Sequence, residues 1–207
     1  LPYLDTLSLR LTTRNGRIAG RSDVIEIVDQ LDGRQYDKEV DIIIPTRNRE
    51  DFALGTVRSL LGQKYPSFRI IVVDQSDHHS EELEVIAERE PRVIHHKALT
   101  RGLPSARNEG LGLSRSEIVI FVDDDVMPEC NFIEGHVLAY RDHRVGAVAG
   151  KIIEKDVPAG GYMIGGKINF LTGSISSTYD VDIFGATDTA RGANMSFRRT
   201  AINEAGG

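Results

Sequence analysis

Three consecutive carboxylates, Asp123, Asp124 and Asp125, follow an apolar run and precede Pro128 in the stretch IVIFVDDDVMP. Adjacent carboxylates repel one another, which raises their pKa values unless a cation neutralises them. Mg²⁺ and Mn²⁺ prefer such hard oxygen ligands and often bind one or two carboxylates together with substrate phosphates. Alternate residues of an extended segment point the same way, so we expect Asp123 and Asp125 to share a face while Asp124 turns aside. The pattern predicts an Asp-x-Asp site for a metal and a diphosphate, with a solvated acidic turn as its alternative.

The chain around this stretch alternates short apolar runs with segments of helical periodicity from Val40 onward. Apolar runs of this length predict buried strands, and apolar residues at i, i+3 and i+4 predict helices. The predicted strands lie at 40–45, 69–74, 92–96, 117–123 and 145–152, and the predicted helices at 50–63, 81–90, 104–114 and 131–142. Strands separated by helices indicate an α/β fold with a mainly parallel sheet flanked by helices.

Three of the predicted strands end in segments that suit a ligand site, at 45–49, 74–77 and 123–125. The carboxyl ends of parallel strands lie along one edge of the sheet, and ligands of open α/β sheets bind outside that edge. We therefore expect the triple aspartate to share a site with Thr46, Arg47, Asn48 and Asp74.

The composition excludes several classes of protein. A chain of 207 residues with 40% hydrophobic content fits one globular domain with a small appendage. The net charge of −6 argues against a nucleic-acid partner. No apolar run reaches the roughly 18 residues that a transmembrane segment needs. The single cysteine, Cys130, cannot form an internal disulfide, which fits a reducing compartment, so we expect a cytoplasmic protein or one at the inner face of the membrane.

The first 39 residues differ from the α/β part. Leu7, Leu9 and Leu11 alternate with polar residues, and Asn15-Gly16 and Asp32-Gly33 are turn signals. We interpret residues 1–39 as a β-rich N-terminal appendage, with a β-hairpin as one form, and residues 40–207 as the α/β domain.

Five motifs carry a resemblance to a known family. They are, in order, VDIIIPTRNRE, RSLLGQKYPSFRIIVVDQSD, GLPSARNEGL, FVDDDVMP, and GANMSFRR followed by AGG. The segment from Val40 to Gly207 thereby resembles the inverting family 2 glycosyltransferases. The resemblance implies the glycosyltransferase-A fold, a nucleotide-diphospho-sugar donor of the UDP, GDP or dTDP type, and a divalent metal, Mg²⁺ or Mn²⁺. It also implies a hydroxyl acceptor on a glycan, a lipid or a small molecule.

The resemblance also implies which residues bind the donor. Asp125 would ligate the metal, and Asp123 would contact the ribose or join it as a ligand. Asp74 would hydrogen-bond the nucleobase or ribose, and Arg107 would approach the phosphates. The full set expected to bind the nucleotide sugar is Pro45, Thr46, Arg47, Arg49, Asp74, Arg107, Asp123 and Asp124.

Two departures from the family pattern affect the mechanism. Gln75 stands where the family often has a second acid after Asp74, which leaves the nucleobase open. An inverting transfer also needs a carboxylate to deprotonate the acceptor hydroxyl. The family places it shortly after a Gly-Gly like the one that closes this chain, so our hypothesis is that the base lies beyond Gly207. The late acids within the chain, which lie outside the expected motif, are Asp182, Asp188 and Glu204.

The predicted function is metal-dependent transfer of a sugar from a nucleotide-diphosphate donor to a hydroxyl, with inversion. One alternative is a nucleotide-sugar-binding module that has lost catalysis. Another is a sugar-phosphate nucleotidyltransferase, although such enzymes open with a glycine-rich loop where this chain has PTRNRE. His95 and His96 end a predicted strand without an evident third ligand, so a half-buried pair is favoured over a zinc site.

Overall fold

The computed structural model describes residues 9–13, 38–153, 165–169, 171–178 and 187–206. The chain divides into two compact units, one of Asp37–Glu134 and one of Leu1–Tyr36 with Gly135–Gly207. The turns predicted at Asn15-Gly16 and Asp32-Gly33 lie outside the described residues. No helix in the described part of the chain is long and apolar enough to cross a membrane.

The described elements follow the predicted alternation of strands and helices. The strands are β1 (Leu9–Thr13), β2 (Val40–Thr46), β3 (Phe68–Asp74), β4 (Val93–Lys97), β5 (Ile118–Phe121), β6 (Val145–Gly150), β7 (Gly165–Ile168), β8 (Ile175–Thr178) and β9 (Met195–Arg198). The helices are α1 (Glu50–Leu61), α2 (Glu81–Arg89), α3 (Leu103–Leu113), α4 (Phe132–Ala139) and α5 (Arg199–Glu204).

Unit 37–134 is built on a parallel sheet with the strand order β5-β2-β3-β4. Ile42 pairs with Ile70 on one side and with Ile120 on the other, and all three are fully buried. Runs of β-branched residues suit strands that are covered on both faces. The mainly parallel α/β fold predicted from the sequence is confirmed.

Two helices cover this sheet closely. The buried face of α1 consists of Ala53, Leu54, Thr56, Val57 and Leu60. On α3, Gly110 lies against the sheet so tightly that an added Cβ would be 2.4 Å from the Ile43 side chain. Real Cβ atoms do not approach so closely, so only glycine allows α3 this position.

Pro45 occupies β2, an interior strand, where a missing backbone N–H normally costs a ladder hydrogen bond. Ile43 accepts the last bond from the β5 side, from the N–H of Val122 at 3.1 Å. Backbone groups of a strand alternate sides, so an N–H at position 45 would face beyond the end of β5, whose paired register stops at Phe121. The proline therefore costs no ladder bond and helps to open the sheet edge at this point.

The opposite end of β2 is fixed by Asp41, which is fully buried. Arg69 binds both oxygens of its carboxylate at 2.9 Å, and the Ser114 hydroxyl donates at 2.7 Å. Burial alone would raise the pKa of Asp41, but these hydrogen bonds and those from two backbone N–H groups lower it. The carboxylate joins β2, β3 and the loop before β5.

In the other unit, β1 pairs antiparallel with β6, which pairs antiparallel with β9, while β7 and β8 form a separate antiparallel pair. A buried polar network accompanies β9. His136 contacts Ser196 through Nδ1 and Asn194 Oδ1 through Nε2, both at 2.8 Å. Burial lowers the pKa of His136 to about 4, so the ring is neutral at neutral pH. Because Asn194 Oδ1 can only accept, Nε2 carries the proton.

Four predicted elements end two or three residues earlier than expected, and the first is the helix predicted at 50–63, which ends at Leu61. The strand predicted at 117–123 ends at Phe121, and the chain turns at Asp124-Asp125. The helix predicted at 131–142 ends at Ala139, and the strand predicted at 145–152 ends at Gly150. Asp123 to Asp125 follow the end of β5, so strand alternation does not account for their arrangement, although Asp124 alone of the three is buried.

Candidate functional site

The three aspartates at the carboxyl end of β5 have different environments. Asp124 is 5% exposed, and its Oδ2 accepts a hydrogen bond from Thr46 Oγ1 at 2.8 Å. The side chains of Asp123 and Asp125 are 39% and 44% exposed. The triplet therefore consists of one internal carboxylate and two that solvent or a ligand can reach.

Arg49 bridges two of these carboxylates. Its Nη1 lies 2.9 Å from Asp124 Oδ1, and its Nη2 donates to Asp125 Oδ2 at 2.6 Å. Its guanidinium carbon lies 4.7 Å from the centroid of the Phe52 ring. A planar guanidinium can serve two acceptors and an aromatic face at once, which an ammonium cannot do. Arg49 thus joins Asp124 to Asp125.

Charge repulsion within the triplet acts on Asp124. The pKa of this carboxyl is raised, first by burial and then by the charges of Asp125 and Asp123. The Thr46 hydroxyl and the Arg49 guanidinium oppose that rise. The pKa of Arg49 is itself raised, chiefly by the hydrogen bond to Asp125. Arg49 thus supplies positive charge that offsets the mutual repulsion of the adjacent carboxylates.

Arg107 on α3 approaches the remaining carboxylate. Its Nη2 donates to Asp123 Oδ1 at 3.2 Å, and its guanidinium carbon lies 5.9 Å from the centroid of the Phe121 ring. The Nε atom of Arg107 is buried and has no hydrogen-bond partner within the described ranges. A buried donor without a partner is costly, so an acceptor supplied by a ligand would be favourable here.

A polar stripe, made of Thr56 and Ser59 on α1 and of Gln63 just after its end, holds the chain that follows the triplet. Thr56 Oγ1 lies 2.8 Å from the carbonyl oxygen of Asp124 and 2.9 Å from that of Val126. Farther along, Ser59 Oγ donates to the carbonyl oxygen of Pro128, and Gln63 Nε2 to that of Glu129. Our reading of the sequence assigned nothing to Thr56, Ser59 and Gln63. The available signal was the spacing of three residues that places Thr56 and Ser59 on one face of α1, whereas Gln63 lies after the helix end.

Asp74 ends β3 but is only 1% exposed. Its Oδ1 accepts from the N–H of Ser76 at 2.8 Å, while Oδ2 lies 3.3 Å from His95 Nε2 and 3.6 Å from Lys97 Nζ. Burial would raise the pKa of Asp74, but the hydrogen bonds from His95 and Ser76 and the charge of Lys97 lower it well below its usual range. The carboxylate is ionised. One of its oxygens accepts from the loop after β3, and the other contacts side chains of β4.

The loops after β2 and β3 are joined by Asn48 and Asp77. Asn48 has a φ of 55°, in the left-handed region that asparagine tolerates better than most residues. Its Nδ2 donates to Asp77 Oδ2, and its Oδ1 accepts from the N–H of Asp77, both at 2.9 Å. Asp77 also forms ion pairs with Arg101 and, at 3.9 Å, with Arg47. These reciprocal contacts fix the strand-end loops relative to each other.

Gln75 explains one departure from the family pattern in physical terms. The residue is 8% exposed, and its Nε2 donates to the carbonyl oxygens of Thr100 at 2.8 Å and Gly102 at 3.1 Å. A carboxylate in this place could only accept, so it would face two carbonyl oxygens without a proton to offer. The amide links the loop after β3 to the start of α3.

The two histidines of β4 bind different carboxylates. His95 contacts Asp74, and His96 Nε2 lies 3.2 Å from Glu109 Oε2. Glu109 also accepts hydrogen bonds from the N–H groups of Leu99 and Thr100. The side chains of His95 and His96 are 8% and 28% exposed. The pair thus supports the loops around Asp74.

The predicted donor-site residues divide by burial. Pro45, Thr46, Asp74 and Asp124 are buried, whereas Arg47, Arg49 and Asp125 are exposed, and Arg107 and Asp123 are intermediate. All of them belong to unit 37–134. The structure brings Thr46, Arg49 and the aspartate triplet together through direct contacts, and it connects Arg107 to Asp123.

The late acids have separate surroundings. Asp188 Oδ2 accepts from the N–H of Ile168 at 3.1 Å, and its Oδ1 lies 3.4 Å from Lys167 Nζ. The backbone N–H, followed by the Lys167 charge, lowers the pKa of Asp188. Glu204 is exposed at the end of α5, and Asp182 lies outside the described residues. A carboxylate with a lowered pKa is a weaker proton acceptor.

A comparison with family models matches residues 41–206 to the model described as glycosyl transferase family 2. Among the curated relatives, the glycosyltransferase GlyA of Streptococcus pneumoniae serotype 4 is 29% identical over 100 residues, which make up 47% of this chain and 14% of the relative. Hyaluronan synthase of Streptococcus pyogenes is 24% identical over 135 residues, or 61% of this chain and 32% of the relative. The chain spans less than a third of the length of each of these two proteins.

Solved structures show the same fold. The mannosyltransferase PcManGT from Pyrobaculum calidifontis, in complex with GDP-Man and Mn²⁺, superposes with a TM-score of 0.60 at 20% identity and covers 89% of this chain and 53% of that chain. The S. aureus protein TarS 1-349, in complex with UDP-GlcNAc, superposes with a TM-score of 0.54 at 17% identity, over 81% of this chain and 47% of that chain. Both similarities support the glycosyltransferase-A type of fold.

Proposed function

The chain belongs to glycosyl transferase family 2, and on that premise we propose that it takes part in metal-dependent transfer of a sugar from a nucleotide-diphosphate donor to a hydroxyl, with inversion. The observation that carries the proposal is the arrangement after β5, where the two exposed carboxylates Asp123 and Asp125 each pair with an arginine. Carboxylates attract a divalent cation, and arginines attract a diphosphate. The two kinds of group thus suit a metal-diphosphate ligand.

The donor atoms at this edge fit Mg²⁺ or Mn²⁺. Asp125 is proposed as the main ligand and Asp123 as a second one, and both offer hard oxygen atoms to solvent. Within the described residues, no group of three or more His, Cys, Asp or Glu side chains could hold an ion. A metal here would therefore share its coordination between one or two carboxylates and the phosphates of the donor, as Mg²⁺ commonly does. Once bound, it would neutralise the departing diphosphate.

The arginines are proposed to contact the phosphates. The Arg107 side chain is 21% exposed while its Nη2 binds Asp123, which leaves part of its guanidinium open to a phosphate oxygen. Arg49 is 43% exposed while it binds Asp124 and Asp125, which leaves part of its guanidinium open to a ligand. We propose that Asp124 and Thr46 act through Arg49 by holding it at the site, because both are buried.

The nucleoside is proposed to lie along the loops after β2 and β3, next to Arg47 and Asp74. Two of the structural neighbours were solved with a GDP-linked and a UDP-linked sugar. Donor tests must therefore include both bases, with dTDP as the third candidate. The proposed acceptor is a hydroxyl of a glycan, a lipid or a small molecule.

We assign the deprotonating carboxylate to neither Asp188 nor Glu204. The hydrogen bond from Ile168 and the charge of Lys167 lower the pKa of Asp188, which opposes proton acceptance. Glu204 lies at the end of α5 and outside the motif in which the family places the base.

Turnover of labelled donors tests the proposed function. UDP-, GDP- and dTDP-sugars are incubated with the chain and Mn²⁺, and release of the nucleoside diphosphate is followed with and without EDTA. We expect metal-dependent release from one donor class. Tight donor binding without any release, also in the presence of hydroxyl acceptors, would instead identify a nucleotide-sugar-binding module, and an absence of binding to all three classes would refute both.

A further inference from the structure

We propose that Thr56 is a positioning residue for the metal-binding aspartates, with Ser59 and Gln63 extending its action along the chain. The inference rests on the proposed function, because it assumes that Asp125 binds a metal. It concerns residues on α1 and just after it, which touch neither the metal nor the donor in that proposal.

The Thr56 hydroxyl contacts both sides of Asp125. It lies 2.8 Å from the carbonyl oxygen of Asp124 and 2.9 Å from that of Val126, the residues that precede and follow the proposed ligand. A hydroxyl has one hydrogen, so the two carbonyl oxygens share it. One side chain thereby fixes the backbone on either side of Asp125.

The rest of the stripe continues this attachment. Ser59 Oγ donates to the carbonyl oxygen of Pro128 at 3.2 Å, and Gln63 Nε2 donates to that of Glu129 at 2.6 Å. Gln63 Oε1 also accepts from the N–H of Ile133 at 3.3 Å. Thr56 and Ser59 lie one turn apart on α1, and Gln63 follows the end of the helix, so α1 and the residues just after it contact the segment from Asp124 to Ile133.

Contacts before the triplet and within it also fix this segment. The N–H of Val122 donates to Ile43 O at 3.1 Å, and the Asp124 side chain binds Thr46 and Arg49. Between the contacts of the Asp124 side chain and the contact of Ser59, the Thr56 side chain holds the backbone of the turn. Its burial, at 2% exposed, shields these hydrogen bonds from water.

A metal ligand on a turn must be held in place by its surroundings. Asp125 is 44% exposed, and its side chain contacts Arg49. In the proposed function, the diphosphate binds the same arginine. A turn fixed through its backbone keeps the carboxylate in position when that contact changes. Sites that are ordered before binding lose less conformational entropy on binding, which strengthens affinity.

The test compares two substitutions of one residue. Thr56→Val keeps the shape and burial but removes the hydroxyl, and Thr56→Ser keeps the hydroxyl. Binding of Mn²⁺ with GDP, with UDP and with dTDP is measured for each variant and for the unaltered chain by calorimetry on the full chain. We expect Thr56→Val to bind the preferred metal-nucleotide pair about tenfold more weakly, as loss of a buried hydrogen bond implies, and Thr56→Ser to bind within about threefold of the unaltered chain.

A matched control separates positioning from stability. Ser114→Ala removes another buried hydroxyl of the same unit, one that binds Asp41 at the opposite end of β2. It should lower the melting temperature as Thr56→Val does, yet leave the metal-nucleotide affinity unchanged. Hydrogen exchange should show faster exchange at residues 124–127 in Thr56→Val, and not in Ser114→Ala.

The outcomes distinguish this inference from the proposed function. If the unaltered chain binds no metal-nucleotide pair, the proposed function fails on that result alone, and the inference fails with it. If the unaltered chain binds and Thr56→Val binds equally well, the inference is overturned while the proposed function stands. Equal weakening by Thr56→Val and Ser114→Ala would also overturn it, because a general loss of stability would then explain both.

Discussion

At the scale of single residues, the site depends on side chains that arrive from separate parts of the sequence. Arg49 follows β2 by three residues, yet its partners are Asp124 and Asp125, and the ring below it is Phe52. The sequence identified both the arginine and the aspartates as site candidates. It could not show that Asp124 is buried, because that depends on how Thr46 and α1 pack around the turn.

The bridging geometry of Arg49 predicts a loss on substitution by lysine. Arg49→Lys keeps the charge but cannot bind two carboxylates in a fixed fork. We expect a loss of about 1 kcal/mol in the free energy of unfolding, a modest value because the arginine is partly exposed. Urea denaturation measures it. Arg58→Lys is the control, since Arg58 and Glu82 form a well-exposed pair, and an equal loss in both variants would contradict the bridge.

Gln75 gives a prediction that depends on pH. Gln75→Glu places a carboxyl opposite the carbonyl oxygens of Thr100 and Gly102, so burial and these acceptors raise its pKa in the folded state. With a folded pKa above the unfolded value of about 4.3, the penalty is complete above the folded pKa, decreases as the pH falls from that value toward 4.3, and is absent below it.

The size of the Gln75→Glu penalty follows from its cause. We expect a loss of about 2 kcal/mol at neutral pH, as for a buried group without a partner, and a clearly smaller loss near pH 4. Urea unfolding of the variant and the unaltered chain at the two pH values measures the difference. A penalty that does not change with pH would refute this account of the amide.

At the scale of elements, the sequence predicted the strands and helices of unit 37–134 because their apolar patterns are continuous. It placed the end of the fourth strand two residues too late, at Asp123. In the sequence, Val122 continues the apolar run and Asp123 begins the acidic motif directly after it, so nothing local marks the end of the strand. The end is set by the neighbouring strand β2, whose last carbonyl acceptor toward β5 is that of Ile43. An element boundary that depends on a neighbouring strand cannot be read from local residues.

The close approach of α3 to the sheet predicts opposite effects for two glycines of that helix. Gly110→Ala would place a Cβ 2.4 Å from Ile43 Cγ2 and 3.1 Å from Val73 Cγ2, so we expect a loss of about 1–3 kcal/mol from overpacking. An alanine Cβ at Gly112 would meet no atom within 4 Å, and Gly112→Ala should add up to about 1 kcal/mol through helix propensity. Thermal unfolding measures both, and a stabilised Gly110→Ala would contradict the packing.

At the scale of the whole molecule, the five motifs in their order indicated the family more specifically than any single motif did. The family model matches residues 41–206, and the predicted donor-site residues all lie within one compact unit. The division of the chain into residues 1–39 and 40–207 stays a prediction, as does the location of the base. The pairing of β1 with β6 could not be predicted, because no local pattern specifies a partner more than a hundred residues away.

The central claim is that Asp125 binds a metal and a nucleoside diphosphate together. Calorimetry with Mn²⁺ and each of UDP, GDP and dTDP tests it on the unaltered chain, on Asp125→Ala, and on Asp51→Ala as an exposed control in the first turn of α1. We predict metal-dependent binding of one nucleotide, weakened at least about tenfold by Asp125→Ala and unchanged by Asp51→Ala. Equal affinity in Asp125→Ala, or binding that is the same without metal, would contradict the account.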